Sequence, residues 1–384
     1  MTSNFIYFDN SATTKPYKEV VDSFVKVSTD YFGNPSSLHR IGGEAEKLLS
    51  KGRKQIAEQL AVKPSEIIFT SGGTESNNLA VKGAALMHRN RGNHIITSAV
   101  EHASIKEPYK QLQELGFEVT ILPVDDEGRV SVRELANAIS DQTILVSVMH
   151  VNNEVGTIQP IEQIGALLTS YPKVLFHVDH IQGVGKVPLN LQKSHVDLCS
   201  FSGHKFHGLK GTGLLYVREG VTLSPLLTGG SQERKYRSGT ENVAGAVALA
   251  KALRLTLENM DEQVPRILKL KETIIRGIQD IEEIVVHTPA VNSAPHIINF
   301  SVKGFKAEVF VHALEEKDIY VSTTSACSSK KKAGSSTLTA MGVPEEIAGS
   351  AIRISLSHEN TIEEANFVVD AIKETVNKLR EVMK

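Results

Sequence analysis

Between about residue 66 and residue 218, short apolar runs alternate with helical patterns, and no other feature of the chain constrains its fold as strongly. Strands are expected at Glu66–Ser71, His94–Thr97, Glu118–Leu122, Thr143–Met149, Val174–Val178, Leu198–Ser200 and Gly213–Val217. Several are rich in Val and Ile on both faces, as in strands buried between helices of a mostly parallel sheet. Helical stretches at Glu75–Arg89, Ala103–Leu115, Val132–Ile139 and Ile161–Ser170 fall between them. Strand, helix, strand repeated this often predicts an α/β fold.

After about residue 255 the grammar changes. A long charged helix at Leu253–Ile281 leads into a strand at Ile297–Val302, a helix at Ala307–Glu316, strands at Ile319–Ser322 and Ile352–Ser355, and a helix at Ile362–Met383. This predicts a smaller α+β domain beside a large one. A prior of about 150 residues per domain also puts 384 residues at roughly two. The division is expected as 16–255 for the large domain, with 1–15 and 256–384 forming the small one. Net charge is −2, from 42 basic and 44 acidic residues, without the basic excess of a nucleic-acid-binding surface. No run approaches the ~18 apolar residues needed to span a bilayer, and the N-terminus does not read as a secretory signal. Two cysteines cannot build a disulfide framework or a four-cysteine zinc site. A cytoplasmic enzyme is the expected class.

Three segments carry chemistry. Ser71-Gly72-Gly73-Thr74-Glu75 follows a strand and opens a helix, where glycine backbone, free amides and the Thr74 hydroxyl form an anion site. As a motif on its own it reads equally well as a glycine turn with a helix cap. No dinucleotide or nucleoside-triphosphate signature accompanies it, so a smaller phosphate ligand is expected. Asp179, in Val178-Asp179-His180-Ile181-Gln182, ends a buried strand and faces the crevice where α/β sheets bind ligands. It needs a cationic or donor partner there, and a protonated ring nitrogen would supply one. Lys205, in Ser202-Gly203-His204-Lys205, follows the next strand. A lysine held in a crevice forms Schiff bases, whereas the bland alternative is a solvated surface lysine. His204 and His207 lack a nearby carboxylate or thiol, and no metal is expected. A phosphate cradle, an aspartate for a pyridinium nitrogen and a lysine for an aldehyde are together the parts of a pyridoxal 5'-phosphate site.

Here the sequence resembles the cysteine desulfurases of the NifS/IscS branch, which share the class V aminotransferase fold. The resemblance runs nearly end to end, through Tyr7-Phe8-Asp9-Asn10-Ser11-Ala12, Gly33-Asn34-Pro35, Gly72-Gly73-Thr74-Glu75-Ser76-Asn77-Asn78, Glu101-His102, Asn152-Asn153-Glu154, Asp179, His204-Lys205, Arg237-Ser238-Gly239-Thr240 and Ser325-Ala326-Cys327. It implies fold type I of the pyridoxal-phosphate transferases, with a mainly parallel seven-stranded sheet in the large domain. It also implies roles. Lys205 would carry the cofactor and Asp179 would pair with its ring nitrogen. His102 would stack on the ring and assist proton transfer. Gly73, Thr74, Ser202 and His204 would hold the phosphate, with Thr240 reaching across from a second subunit of a homodimer. Gln182 and Asn153 would lie near the ring hydroxyl or the substrate carboxylate, and Arg353 would clamp that carboxylate. His180 stands where a small residue is usual, and Leu209 where proline is common.

Cys327 decides the reaction implied. It sits in Ser325–Thr337, a run with almost no apolar side chain and three adjacent lysines, which predicts a mobile segment and favours the thiolate. Cys199, between Leu198 and Phe201, reads instead as a buried small hydrophobe. The expected activity is conversion of L-cysteine to L-alanine, with a Cys327 persulfide handed to a sulfur acceptor in tRNA or cofactor thiolation or in iron–sulfur assembly. The C-terminus, without a docking tail, leans towards thiolation. The rival readings are a selenocysteine lyase or another class V enzyme, and a pyridoxal-phosphate-binding scaffold that only docks partners.

Overall fold

The computed structural model describes residues 5–323 and 334–382. Cys327 and the residues around it lie outside the described residues. A seven-stranded sheet runs in the order Ile67–Thr70, Gly213–Val217, Leu198–Ser202, Leu175–Asp179, Thr143–Met149, His94–Ser98, Glu118–Leu122. Only Gly213–Val217 runs antiparallel to its neighbours. The other six strands therefore deliver their carboxyl ends to one edge, the edge at which open α/β sheets bind ligands. The strands Thr143–Met149, Leu175–Asp179 and Leu198–Ser202 are buried throughout. That is why they read as unbroken apolar runs and not as alternation. Helices cover both faces, among them Gly73–His88, which packs on Leu198–Ser202 and Gly213–Val217.

A second core gathers Phe8, Ile274, Phe300, Phe310, Ile354 and Ile372. It lies against an antiparallel sheet ordered Ser322–Thr323, Ala351–Ser355, Ile297–Val302, Ile284–Val286. Ile352, Ile354 and Leu356 are fully buried, as the alternation around Arg353 predicts. Residues Ile6–Tyr7 pair in parallel with Ile319–Tyr320, so the start of the chain joins this second core.

Two expected elements need correction. The single helix at Leu253–Ile281 is two helices, Val243–Glu258 and Met260–Ile278. Asn259 breaks them apart at φ −98°, ψ 3°, and its amide donates back to the Leu255 carbonyl. Such a side chain competes with the backbone for helical hydrogen bonds. The first helix also starts ten residues early, where the Asn242 side chain caps the Gly245 N–H, a signal masked by its alanine-rich, unperiodic sequence. The strand expected at Ile319–Ser322 is likewise two short strands, Ile319–Tyr320 and Ser322–Thr323, which pair with different partners on either side of Val321.

Candidate active site

A cavity of about 590 Å³ opens at the carboxyl edge of the large sheet. It is lined by Gly73, Thr74, His102, Asn153, Asp179, Gln182, Ser202, His204, Lys205 and Arg353, together with Ser11, Ala12 and Ser104. Among the described residues, every one expected at the site is there except Thr240. Thr240 lines a smaller neighbouring cavity of about 290 Å³, which shares Ser71 and Gly211 with the first. Its segment is tied to the cradle by Arg237, whose Nε donates to Glu75 at 2.9 Å.

The cradle forms because the strand Ile67–Thr70 stops at Ser71 and the chain turns straight into helix Gly73–His88. Gly72 sits at φ +149°, a conformation glycine adopts without penalty. A Cβ on Gly73 would lie 2.2 Å from Ile181 Cδ1 and 3.3 Å from Ser202 Cβ, so any larger residue would have to displace the Ile181 side chain. The open amides of this first turn, the Thr74 hydroxyl and Ser202 make a seat for an anion.

Asp179 ends its strand in register with Met149 and Ser200. Its Oδ1 accepts from the Ile181 N–H at 3.0 Å and its Oδ2 from Asn77 Nδ2 at 2.8 Å. Burial pushes its pKa up, opposed by those two donors and by the positive charge of Lys205 nearby. A buried carboxylate satisfied only by neutral donors costs several kcal/mol unless a cation meets it. Lys205, on the short turn Gly203–Lys205, donates through Nζ to the carbonyls of Ser11 and, at 2.8 Å, Ala12. His204 Nδ1 lies 3.2 Å from Thr13 Oγ1, and burial lowers its pKa to about 4. Gln182 Nε2 donates to the same Ser11 carbonyl at 3.0 Å.

Arg353 comes from the second sheet. It is only 6% exposed, which settles its orientation towards the cleft and not towards solvent. Its Nη1 donates to the Asn153 carbonyl at 2.9 Å and its Nη2 to Asp9 Oδ1 at 2.9 Å. Its Nε is buried without a partner among the described residues. A guanidinium lining a cavity suits a carboxylate arriving from outside.

Several contributors are not singled out by the sequence. Asn77 lies within a quoted motif but carries no expected role, although a polar residue on the buried face of helix Gly73–His88 is a usable signal. Ser104, Asp9 and the carbonyls of Ser11 and Ala12 leave no such mark. His180 is buried, with Nδ1 2.8 Å from Nδ1 of His150, and burial holds both rings far below ordinary histidine values. Cys199 is fully buried and burial pushes its thiol well up, so it is no nucleophile.

Against known proteins, residues 6–368 match the family described as aminotransferase class V. The chain belongs to this family of pyridoxal-phosphate enzymes. It is 50% identical over 371 residues to a NifS/IcsS protein homolog of Lactobacillus delbrueckii subsp. bulgaricus, covering 96% of each chain. It is 45% identical over 375 residues to a cysteine desulfurase IscS of Methanosarcina thermophila, covering 98% of this chain and 93% of the relative. A solved NifS-like protein superposes with a TM-score of 0.92 at 39% identity, over 97% of this chain and 99% of the other.

The cavity fits the family's cofactor. The anion seat, the buried Asp179 carboxylate and the Lys205 amine all line it, and its volume accommodates a ring of this size with an amino acid beside it.

Proposed function

We propose that the chain is a cysteine desulfurase, taking sulfur from L-cysteine onto Cys327 and releasing L-alanine. The observation that carries the substrate class is the Arg353 guanidinium, which lines the same cavity as Lys205 and Asp179. That arrangement asks for a small α-amino acid with its carboxylate on Arg353 and its amine towards Lys205. The name of the Methanosarcina relative narrows the amino acid to cysteine.

Pyridoxal phosphate supplies an electron sink for the pair left when the Cα proton departs. Asp179 would hold a proton on the ring nitrogen, which would strengthen that sink. Gly73, Thr74, Ser202 and His204 would seat the phosphate, and Asn153 and Gln182 would orient the groups beside it. Arg353 fixes the substrate carboxylate and so the direction of the Cα–H bond. The Lys205 amine takes the Cα proton. The Cys327 thiolate attacks the substrate sulfur; an S–S bond forms, the Cβ–S bond breaks, Cβ takes a proton, and Lys205 returns the proton to Cα as alanine leaves. Three lysines close to Cys327 in sequence favour its thiolate form. We further propose a homodimer in which Thr240 completes the partner's phosphate seat, and a division of the chain at about residue 255. The acceptor reading, thiolation or iron–sulfur assembly, rests on the expected persulfide alone.

The test is production of alanine and sulfide from L-cysteine under a reductant. Cys327→Ala should stop both while leaving the visible absorbance of the bound cofactor intact. Sulfide released by that variant at the parent rate would replace the persulfide mechanism with direct elimination, the lyase reading. Sedimentation of an active monomer would remove the dimer.

A further inference from the structure

His102 lies at the start of helix Ala103–Glu114, and its ring caps that helix. The Ser104 backbone N–H donates to His102 Nδ1 at 3.1 Å. The Ser104 hydroxyl lies 2.8 Å from the same nitrogen. Asn77 Nδ2 in turn lies 2.9 Å from Ser104 Oγ and 2.8 Å from Asp179 Oδ2. Four side chains from three elements thus form one unbroken chain, Asp179–Asn77–Ser104–His102.

Counting hydrogens fixes its direction. A backbone N–H can only donate, so Nδ1 must present a lone pair. One hydrogen of the Asn77 amide points to a carboxylate and the other to Ser104 Oγ. The hydroxyl, having accepted, gives its single hydrogen to Nδ1. A proton on Nδ1 would face the Ser104 N–H and strand it, so the ring's one proton belongs on Nε2, the nitrogen on the edge away from the helix. The start of a twelve-residue helix is also its positive end, which opposes an imidazolium. Both effects act in the same sense, and an imidazole at a helix start is kept neutral in this way elsewhere.

We propose that Ser104 and Asn77 are positioning residues that hold His102 as a neutral ring with its proton on Nε2, so that it meets the substrate as a hydrogen-bond donor and not as a base. This rests on the reading of the cavity as an amino-acid site, and it leaves the Cα proton to Lys205. The charged groups facing His102 are Asp179 from the large sheet, Lys205 from the turn after the neighbouring strand, and Lys106 from its own helix. The two lysines disfavour a second positive charge and Asp179 favours one. Burial, the largest influence, lowers the ring's pKa further.

The experiment is nitrogen NMR of histidine-labelled holoenzyme and apoenzyme, with His102 assigned by comparison with His102→Gln. The expected result is a protonated Nε2 and a bare Nδ1 at neutral pH in both forms. Ser104→Ala removes one of the two donors to Nδ1. The ring should then titrate about half to one pH unit higher, the shift equivalent to one hydrogen bond. The acid limb of kcat should move up with it, kcat should fall about 3- to 10-fold at pH values on that limb, and KM should hardly change. Ser104→Thr, which keeps the hydroxyl, should restore all three. A proton on Nδ1, or an imidazolium at neutral pH, would overturn the proposal. So would a Ser104→Ala variant that loses thermal stability but keeps the parent titration and pH profile. The NMR arm is read without substrate, so its failure is distinct from failure of the desulfurase assignment.

Discussion

Asp179 and Lys205 reach the cavity from adjacent strands of one sheet, each within a few residues of a buried strand end, whereas Arg353 reaches it from the second sheet and is steadied by Asp9 and Asn153, far away in sequence. The first wall is local: once the strands pair in register, the carboxylate and the amine face the same crevice. The second wall is assembled from segments that meet only when both cores are in place. A rigid wall suits the permanent cofactor, which must not shift. A wall made by contact between sheets suits the substrate, which must enter and leave.

This contrast can be broken by substitution. On the first wall, Lys205→Ala should lower kcat by at least about 1000-fold, the scale of losing a proton-transfer group, while phosphate seating persists. Cofactor retention by absorbance and alanine formation check the two parts. A fully active variant would show that the amine is not the base. On the second wall, Arg353→Lys should raise KM for cysteine by about 10- to 100-fold with a smaller effect on kcat, because one ammonium cannot replace a planar, multiply bonded guanidinium. A drop in kcat with KM unchanged would mean that Arg353 acts beyond carboxylate binding.

The stiffness of the first wall has a pH signature. Glu101 accepts from Ser98 Oγ at 2.6 Å and from the Met149 N–H at 2.9 Å, and burial pushes its pKa up to about 8. The folded protein therefore binds this proton more tightly than the unfolded chain, whose glutamate titrates near 4.5. The resulting stability is complete below about 4.5 and is lost as pH rises through about 8. Glu101→Gln cannot ionise, so its Tm should match the parent near pH 5 and exceed it by a few degrees at pH 8. A gap that stays constant with pH would assign the raised pKa elsewhere. The smallest effect belongs to Cys199→Ala, which should cost about 1 kcal/mol and leave kcat unchanged. Loss of turnover there would give Cys199 a part that its burial argues against.

The first wall was almost fully legible in the sequence, because strand ends, glycine turns and a charged residue just beyond them are local signals. The strands at Glu118–Leu122, Thr143–Met149 and Gly213–Val217 fall on the expected bounds, and Asp179 and Lys205 fall together as their spacing implies. The second wall was legible only in part. Alternation placed Ile352 and Ile354 in the core but left Arg353 free to face water or cleft, since nothing local announces Asp9. The same holds for Ser104, whose role exists only through Asn77, on a different helix. Asn259 was missed because a single non-helical residue between two helices hardly alters their period.

The segment Asp9–Ala12 touches both walls: Ser11 and Ala12 receive the Lys205 amine, Asp9 receives Arg353, and Asn10 and Ser11 are bonded to Ser355. Translation makes these residues before their partners near 355. A nascent chain can therefore pair its large sheet, and seat Ser11 and Ala12 on Lys205, before Asp9 and Asn10 find their partners Arg353 and Ser355. Substrate recognition is in this sense a proofreading of completeness. A prematurely terminated chain lacking the Ala351–Ser355 strand has no second wall, and with it goes the means to grip an amino acid and strip it of sulfur.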